Sequence, residues 1–111
     1  GAGAFPCLDS QGVRRVVNVV WSSEARKALR SIRTFIAQDS EFYAARMVAR
    51  IIERVERAAI SPGQGHPVHE YPEADLREVH ESPYRIIYAF SEDELQVVTI
   101  VHFKQRLAHK G

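Results

Sequence analysis

The residues with the greatest chemical potential in this chain fall into two groups and one isolated position. His66-Pro67-Val68-His69-Glu70 places two imidazoles and a carboxylate close together, and these are ligand types that suit zinc. Zinc motifs fix their ligands on a helix or in tight Cys/His knuckles, whereas this segment carries a proline in what reads as a loop, so no metal is expected. Just upstream, Pro62-Gly63-Gln64-Gly65 has the glycines of a phosphate cradle but lacks the Lys-Ser/Thr and the helix that should follow, so no nucleotide or other cofactor is expected. The second group is cationic. Arg46, Arg50 and Arg54 recur at successive fours, and Arg26, Arg30 and Arg33 precede them. A solvated helix face is the plain reading, and Glu53 to Arg57 offsets part of the charge; the functional reading is an anionic partner. Cys7 stands alone, without a partner in the chain, which fits a reducing cytosol better than secretion.

The elements that must position these residues follow from apolar spacing. Val16 to Trp21 is a β-branched run of strand length, preceded by a Gly-Ala-rich stretch read as an irregular, disordered tail over residues 1–15. Ser22-Ser23 supplies an N-cap with Glu24 in the first turn. Ala25, Ala28/Leu29, Ile32 and Phe35/Ile36 then mark one helical face. Asp39-Ser40 caps a second helix, whose apolar positions are read as Phe42, Ala45, Val48/Ala49, Ile52, Val55 and Ala59. So short a link makes the two helices an antiparallel hairpin, which ends where two prolines and two glycines follow Ser61. Three strands come next, over Leu76–His80, Tyr84–Phe90 and Leu95–Phe103. Both faces of the middle one are apolar, as a central strand requires. The expected fold is α+β in two layers: an N-terminal strand, an antiparallel helical hairpin, and three antiparallel strands, forming one domain over residues 16–111.

With 111 residues and 45% hydrophobic content, the chain suffices for one core and excludes a multidomain enzyme. Its net charge of +1 conceals an asymmetry. From Glu24 to Arg57 eight basic residues face five acidic ones, whereas from Glu70 onward eight acidic residues face five basic ones. Such a dipole is not the polycation that phosphate neutralisation asks for, so sequence-specific DNA binding by the chain alone is not expected. No apolar run has bilayer-spanning length, and a cytoplasmic protein without a membrane partner is expected.

A strand ending Val-Val-Trp-Ser, then Glu-Ala-Arg-Lys-Ala-Leu-Arg-Ser-Ile, a second helix, Pro-Gly-x-Gly, Asp-Leu-Arg-Glu-Val, Tyr-Arg-Ile-Ile-Tyr and a closing Val-His-Phe together resemble the RelE/ParE superfamily of bacterial toxins. The resemblance runs from Val17 to about Leu107 and is strongest over Asp75–Tyr88. It implies the toxin half of a type II toxin–antitoxin pair, a class tied to plasmid stabilisation. RelE-like members cleave messenger RNA on the ribosome, while ParE-like members poison DNA gyrase by binding.

Two departures lower the RNase reading. Glu78 and Glu81 stand near positions that the RelE-like family fills with lysines, and no tyrosine follows Tyr88 to stack a base. A YoeB-like arrangement of Glu70, Arg85 and His102 is the metal-independent catalytic set that the resemblance leaves open, provided Arg85 and His102 share a sheet face. Against it, Arg85 reads equally well as a structural arginine paired with Glu78 or Glu81, and His102 reads first as a partly buried strand histidine. The resemblance thus implies a ParE-like inhibitor of DNA gyrase that is not an enzyme, with Arg77, Lys104 and Arg106 as target contacts. It also implies a cognate antitoxin, whose folding segment would lie against Arg30, Arg33, Arg46, Arg50 and Arg54. The alternative is a ribosome-dependent mRNA endonuclease; a third reading is a non-toxic member that acts with its antitoxin as a co-repressor.

Overall fold

The two helices start where hydroxyl caps permit. In the computed structural model, which describes residues 2–8 and 14–105, helix α1 covers Ser23–Ala37 and helix α2 covers Glu41–Ile60. The Ser22 hydroxyl accepts from the Ala25 N–H at 2.9 Å, and the Ser40 hydroxyl accepts from the Tyr43 N–H at 3.2 Å. Each satisfies an amide with no partner inside its helix, with Glu24 and Glu41 placed in the first turns where the dipole favours them.

The sheet comprises β1 (Ala2–Leu8), β2 (Arg14–Trp21), β3 (His66–Pro67), β4 (Arg77–Glu81), β5 (Tyr84–Phe90) and β6 (Glu94–His102), in the order β1-β2-β6-β5-β4-β3. The α+β architecture is the expected one, with a mixed sheet: β2 runs parallel to β6, and every other pair is antiparallel. The parallel pair follows from the connectivity, because the two helices return the chain to the end where β2 finished and the four successively antiparallel strands β3 to β6 then leave β6 running in the direction of β2. One expectation is corrected. Residues 1–15 read as an irregular tail, but Ala2–Leu8 pairs with β2 along its length, from Ala2 opposite Val20 to Leu8 opposite Arg14. The Gly-Ala-Gly-Ala start has no side chains bulky enough to produce a period-two pattern, so the strand leaves no signature in composition.

Both helices lie on one face of the sheet. The core between the layers joins Ala25, Ile32, Ile51, Val55, Ala58 and Ala59 to Val17, Val19, Val79, Ile86, Tyr88, Leu95, Val97 and Ile100. The apolar stripe of α2 is rotated from the expected one. Ala44, Ile51, Val55, Ala58 and Ala59 are buried, whereas Phe42 is 63% exposed and Ile52 38%. Phe35 of α1 is likewise outside, at 68%. Both candidate stripes have helical spacing, and the one chosen carries alanines at 44, 58 and 59 that let the hairpin close on the sheet.

The central position of β5 is as expected, with Tyr84 to Tyr88 buried without interruption. Strand β6 carries a bulge. Ile87 lies opposite Thr99 and Tyr88 opposite Val97, so Val98 is the extra residue. Ser22 holds this irregularity: its N–H donates to the Val97 carbonyl at 3.0 Å and its hydroxyl to the Val98 carbonyl at 2.7 Å.

Candidate functional site

Alternation along β5 sorts its side chains. Tyr84, Ile86 and Tyr88 join the helix-side core; Arg85 and Ile87 take the opposite face, together with their cross-strand partners His80 and Glu78 of β4 and Val101 and Thr99 of β6. This second face is lined by the segment between β3 and β4. Val68 is buried there without joining the helix-side core, and Glu70 reaches Arg85.

Arg85 is the centre of the site. Its Nη1 and Nη2 donate to the two oxygens of Glu70 at 2.7 and 2.8 Å, a bidentate fork, and its Nε donates to Glu78 Oε2 at 2.5 Å. Arg85 is 8% exposed and Glu78 4%. Hydrogen bonding to Glu70 first, and then to Glu78, holds the guanidinium charged well above its ordinary range, outweighing the burial that opposes it. The remaining oxygen of Glu78 lies 3.7 Å from His80 Nε2. His80 stacks on His66 at 5.2 Å between ring centroids and meets Phe103 edge-on at 4.9 Å. These residues surround an open concavity of about 1070 Å³.

The site residues expected from sequence divide accordingly. Glu70 and Arg85 come together. His102 does not join them: it lies opposite Tyr84, with the rings 5.6 Å apart, in a groove on the α1 side beside Ile32 and Phe35. Its Nδ1 accepts from the Lys104 N–H at 3.0 Å, and its own N–H donates to Gln105 Oε1 at 3.0 Å, so it builds the turn after β6. The provision that Arg85 and His102 share a face is therefore not met. The two strand positions belong to opposite sides of the sheet, because residues paired across β5 and β6 project together and Arg85 pairs with Val101. The Arg85–Glu78 pair matches the structural reading of that arginine, and it is Glu78, not Glu81, that makes it.

Arg77 is half-buried on β4 and donates from Nη1 to the Gly65 carbonyl at 3.3 Å, while Lys104 is exposed. Arg106 lies outside the described residues. Arg30, Arg33, Arg46 and Arg50 are exposed on the helices; Arg54 is half-buried and close enough to Tyr88 for its charge to favour the phenolate, although burial dominates and raises that hydroxyl's pKa. His80 and Phe103 are the site residues that sequence reasoning missed, and they join His66, which was weighed only as a metal ligand. No motif joins them, and only the return of β6 beside β5 brings Phe103 to β4.

General acid–base cleavage of a phosphodiester needs cationic donors free to meet the phosphate. Here, among the described residues, the central guanidinium is engaged by two carboxylates instead of being presented to a phosphate. Among the described residues no group of three or more His, Cys, Asp or Glu could hold a metal, and no helix is long and apolar enough to cross a membrane.

Known proteins resemble this chain in sequence and in fold. The family model described as "ParE toxin of type II toxin-antitoxin system, parDE" matches residues 19–107. A curated protein of Sinorhizobium fredii, "Putative toxin Y4kP", is 33% identical over 88 residues, covering 78% of this chain and 88% of its own. Among solved structures, a chain of "Chromosomal ParDE TA system from P. aeruginosa" superposes with a TM-score of 0.62 at 19% identity, covering 76% of this chain and 92% of its own, a likeness of fold. A match over residues 19–107 spans most of the chain, so the protein belongs to the ParE toxin family of type II toxin–antitoxin systems.

Proposed function

We infer that this toxin acts by binding DNA gyrase rather than by cutting RNA, and that a cognate antitoxin neutralises it. The observation that carries this reading is the state of Arg85. The arginine that an RNase would turn toward phosphate is held by Glu70 and Glu78, and His102 belongs to the other side of the sheet. A phosphodiester approaching the concavity meets the Glu70 and Glu78 carboxylates around that guanidinium, and among the described residues of the lining no further arginine or lysine stands to receive it. What remains is a binding surface. Lys104 is exposed at the end of β6 and serves as a target contact, together with Arg106 in the sequence that follows. Arg77 contributes less, because its guanidinium is engaged with Gly65.

The antitoxin is read onto the helices. Arg30, Arg33, Arg46 and Arg50 give an exposed cationic surface, Arg54 borders it, and exposed Phe35, Phe42 and Tyr43 supply apolar contact near the hairpin bend. An acidic amphipathic segment that orders on binding meets both requirements. The experiment is a supercoiling assay with purified gyrase, scored for relaxed plasmid and trapped cleavage complexes. Inhibition is the expected result. No inhibition at several-fold molar excess overturns the gyrase reading; mRNA cuts mapped during translation would then indicate an endonuclease, and their absence a non-toxic partner that acts with its antitoxin.

A further inference from the structure

We propose that the groove between α1 and the end of β6 receives a segment of the target protein in which a carboxylate accompanies a large apolar side chain. The site lies on the helix side of the sheet, away from Arg85; it deepens the reading of Lys104 as a target contact and rests on that reading. Three observations specify the ligand. The first is charge. Ser31, Ile32 and Phe35 of α1 line the groove together with Tyr84, His102 and Lys104. Lys104 is the one fixed charge on that lining, no Asp or Glu contributes to it, and among the described residues no carboxylate pairs with the lysine. The groove therefore attracts an anion.

The second observation is a pair of hydrogen-bond donors. Tyr84 is only 8% exposed, yet its hydroxyl has no hydrogen-bond partner among the described residues, although a phenol so covered is ordinarily satisfied. Burial keeps that hydroxyl protonated at neutral pH and able to donate. His102 meets the Tyr84 ring edge-on at 5.6 Å, and its Nδ1 accepts from the Lys104 N–H, so the proton of the neutral ring stands on Nε2. An ammonium, a phenol and an imidazole N–H on one lining are the donors that a carboxylate requires. The third observation is the apolar wall. Phe35 is 68% exposed and takes no part in the core between helices and sheet, while Ile32 beside it is buried. A volume of about 430 Å³ takes side chains of a peptide and not a folded element. No residue of α2 lines the groove, which separates it from the Arg46, Arg50 and Arg54 surface read as the antitoxin's. One lysine is too few for a nucleic-acid backbone, whose binding recruits several cations.

The test titrates the full chain with acetyl-Leu-Glu-amide and follows the ring resonances of Phe35, Tyr84 and His102 by NMR. Acetyl-Leu-Gln-amide serves as the uncharged counterpart, and inorganic phosphate is titrated separately. The expected result is saturable shifts on these rings, with affinity on the order of millimolar for so small a ligand and about fivefold weaker binding of the glutamine peptide. A supercoiling assay with purified gyrase then ties the groove to the target: Tyr84→Phe should need about tenfold more protein for half inhibition, and Phe35→Ala about fivefold more. The Tyr84 hydroxyl has no hydrogen bond to lose among the described residues and Phe35 is exposed, so both variants keep the wild-type melting temperature at neutral pH. No saturable shift, an equal response to the glutamine peptide, or a stronger response to phosphate overturns the proposal. Full inhibition by both variants overturns it and leaves the gyrase reading standing, whereas a wild-type chain that does not inhibit removes that reading and the proposal with it. Concentration-dependent broadening of the same rings without peptide, or contacts between the Leu107 methyls and the Phe35 ring, also overturns it, since a second copy or the chain's own end would then fill the groove.

Discussion

Replacing Arg85 by methionine is the most informative single perturbation, because it tests the structure and the functional reading together. The substitution keeps most of the aliphatic volume and removes three charge-assisted hydrogen bonds at once, of 2.5, 2.7 and 2.8 Å. It leaves the Glu70 and Glu78 side chains, 12% and 5% exposed, with no cation between them. Removing one partner from a buried ion pair costs about 3–5 kcal/mol. A domain of this length has roughly 5–15 kcal/mol in total, so the variant should lie near its stability limit. At roughly 4 °C per kcal/mol the melting temperature should fall by about 10–20 °C, read by circular dichroism at neutral pH. The compensated variant, E70Q/R85M/E78Q, carries no buried charge and should return to within about 2 kcal/mol of wild type. If R85M alone loses less than about 1 kcal/mol, the account of a buried, mutually satisfied triad is wrong. Function then separates the readings: the compensated variant still inhibits gyrase if the toxin works by binding, and an RNase that used Arg85 would lose its activity in the same protein.

Three further outcomes follow from particular contacts. A Cβ at Gly65 would overlap the Tyr88 hydroxyl and stand 3.0 Å from its Cζ and 3.1 Å from Arg77 Cβ, so Gly65→Ala should destabilise by about 1–3 kcal/mol in urea denaturation. Burial raises the Tyr84 and Tyr88 hydroxyls above their ordinary pKa of 10.0, in Tyr88 against the opposing pull of a Gly65 backbone hydrogen bond and of Arg54 and Arg77. Folding therefore favours the protonated phenols, and the stability they contribute is whole below about pH 10 and is lost as pH rises through the folded values. Alkaline unfolding should start there and be less steep in Tyr84→Phe; an unchanged slope in that variant would remove Tyr84 from the account. The affinity for antitoxin should fall as salt is raised and the screening length shrinks from about 10 Å at 0.1 M toward 3 Å at 1 M, and a salt-independent affinity would exclude the arginine surface as its basis.

What the sequence made legible was whatever depends on local pattern. Ser22 and Ser40 cap as read, the helical hairpin forms, and β5 is central because both of its faces are apolar. The face of α2 was not legible, since Phe42, Ala45 and Ile52 repeat with the same period as Ala44, Ile51 and Val55, and only contact with the sheet chooses between them. Nor was β1, whose Ala-Gly-Ala start carries no alternation. The site shows the same division. Arg85 with Glu78 is a pairing across a hairpin and could be foreseen; whether His102 joins it depended on parity along β6. Simple alternation would group Val98, Ile100 and His102, but the bulge at Val98 places Leu95 and Val97 with Ile100 in the core and changes the count at that point. Adjacent Val97 and Val98 interrupt the alternation and are the trace of that bulge in the sequence.

The bulge also explains why one fold can separate two kinds of surface. The basic excess between Glu24 and Arg57 belongs to the helices, which cover one side of the sheet, while Glu70 and Glu78 lie on the other side with Arg85 between them. An acidic segment bound along the helices would therefore meet the basic surface without facing Glu70 and Glu78, which the sheet separates from it. Had Val98 been paired in the ladder instead of bulged from it, the alternation past that point would have reversed, turning Ile100 and His102 toward the concavity and Thr99 toward the core. The polarity of the two faces therefore rests on Val98 staying out of the ladder, and Ser22, by donating to the Val97 and Val98 carbonyls while capping α1, ties the bulge to the start of the helical layer.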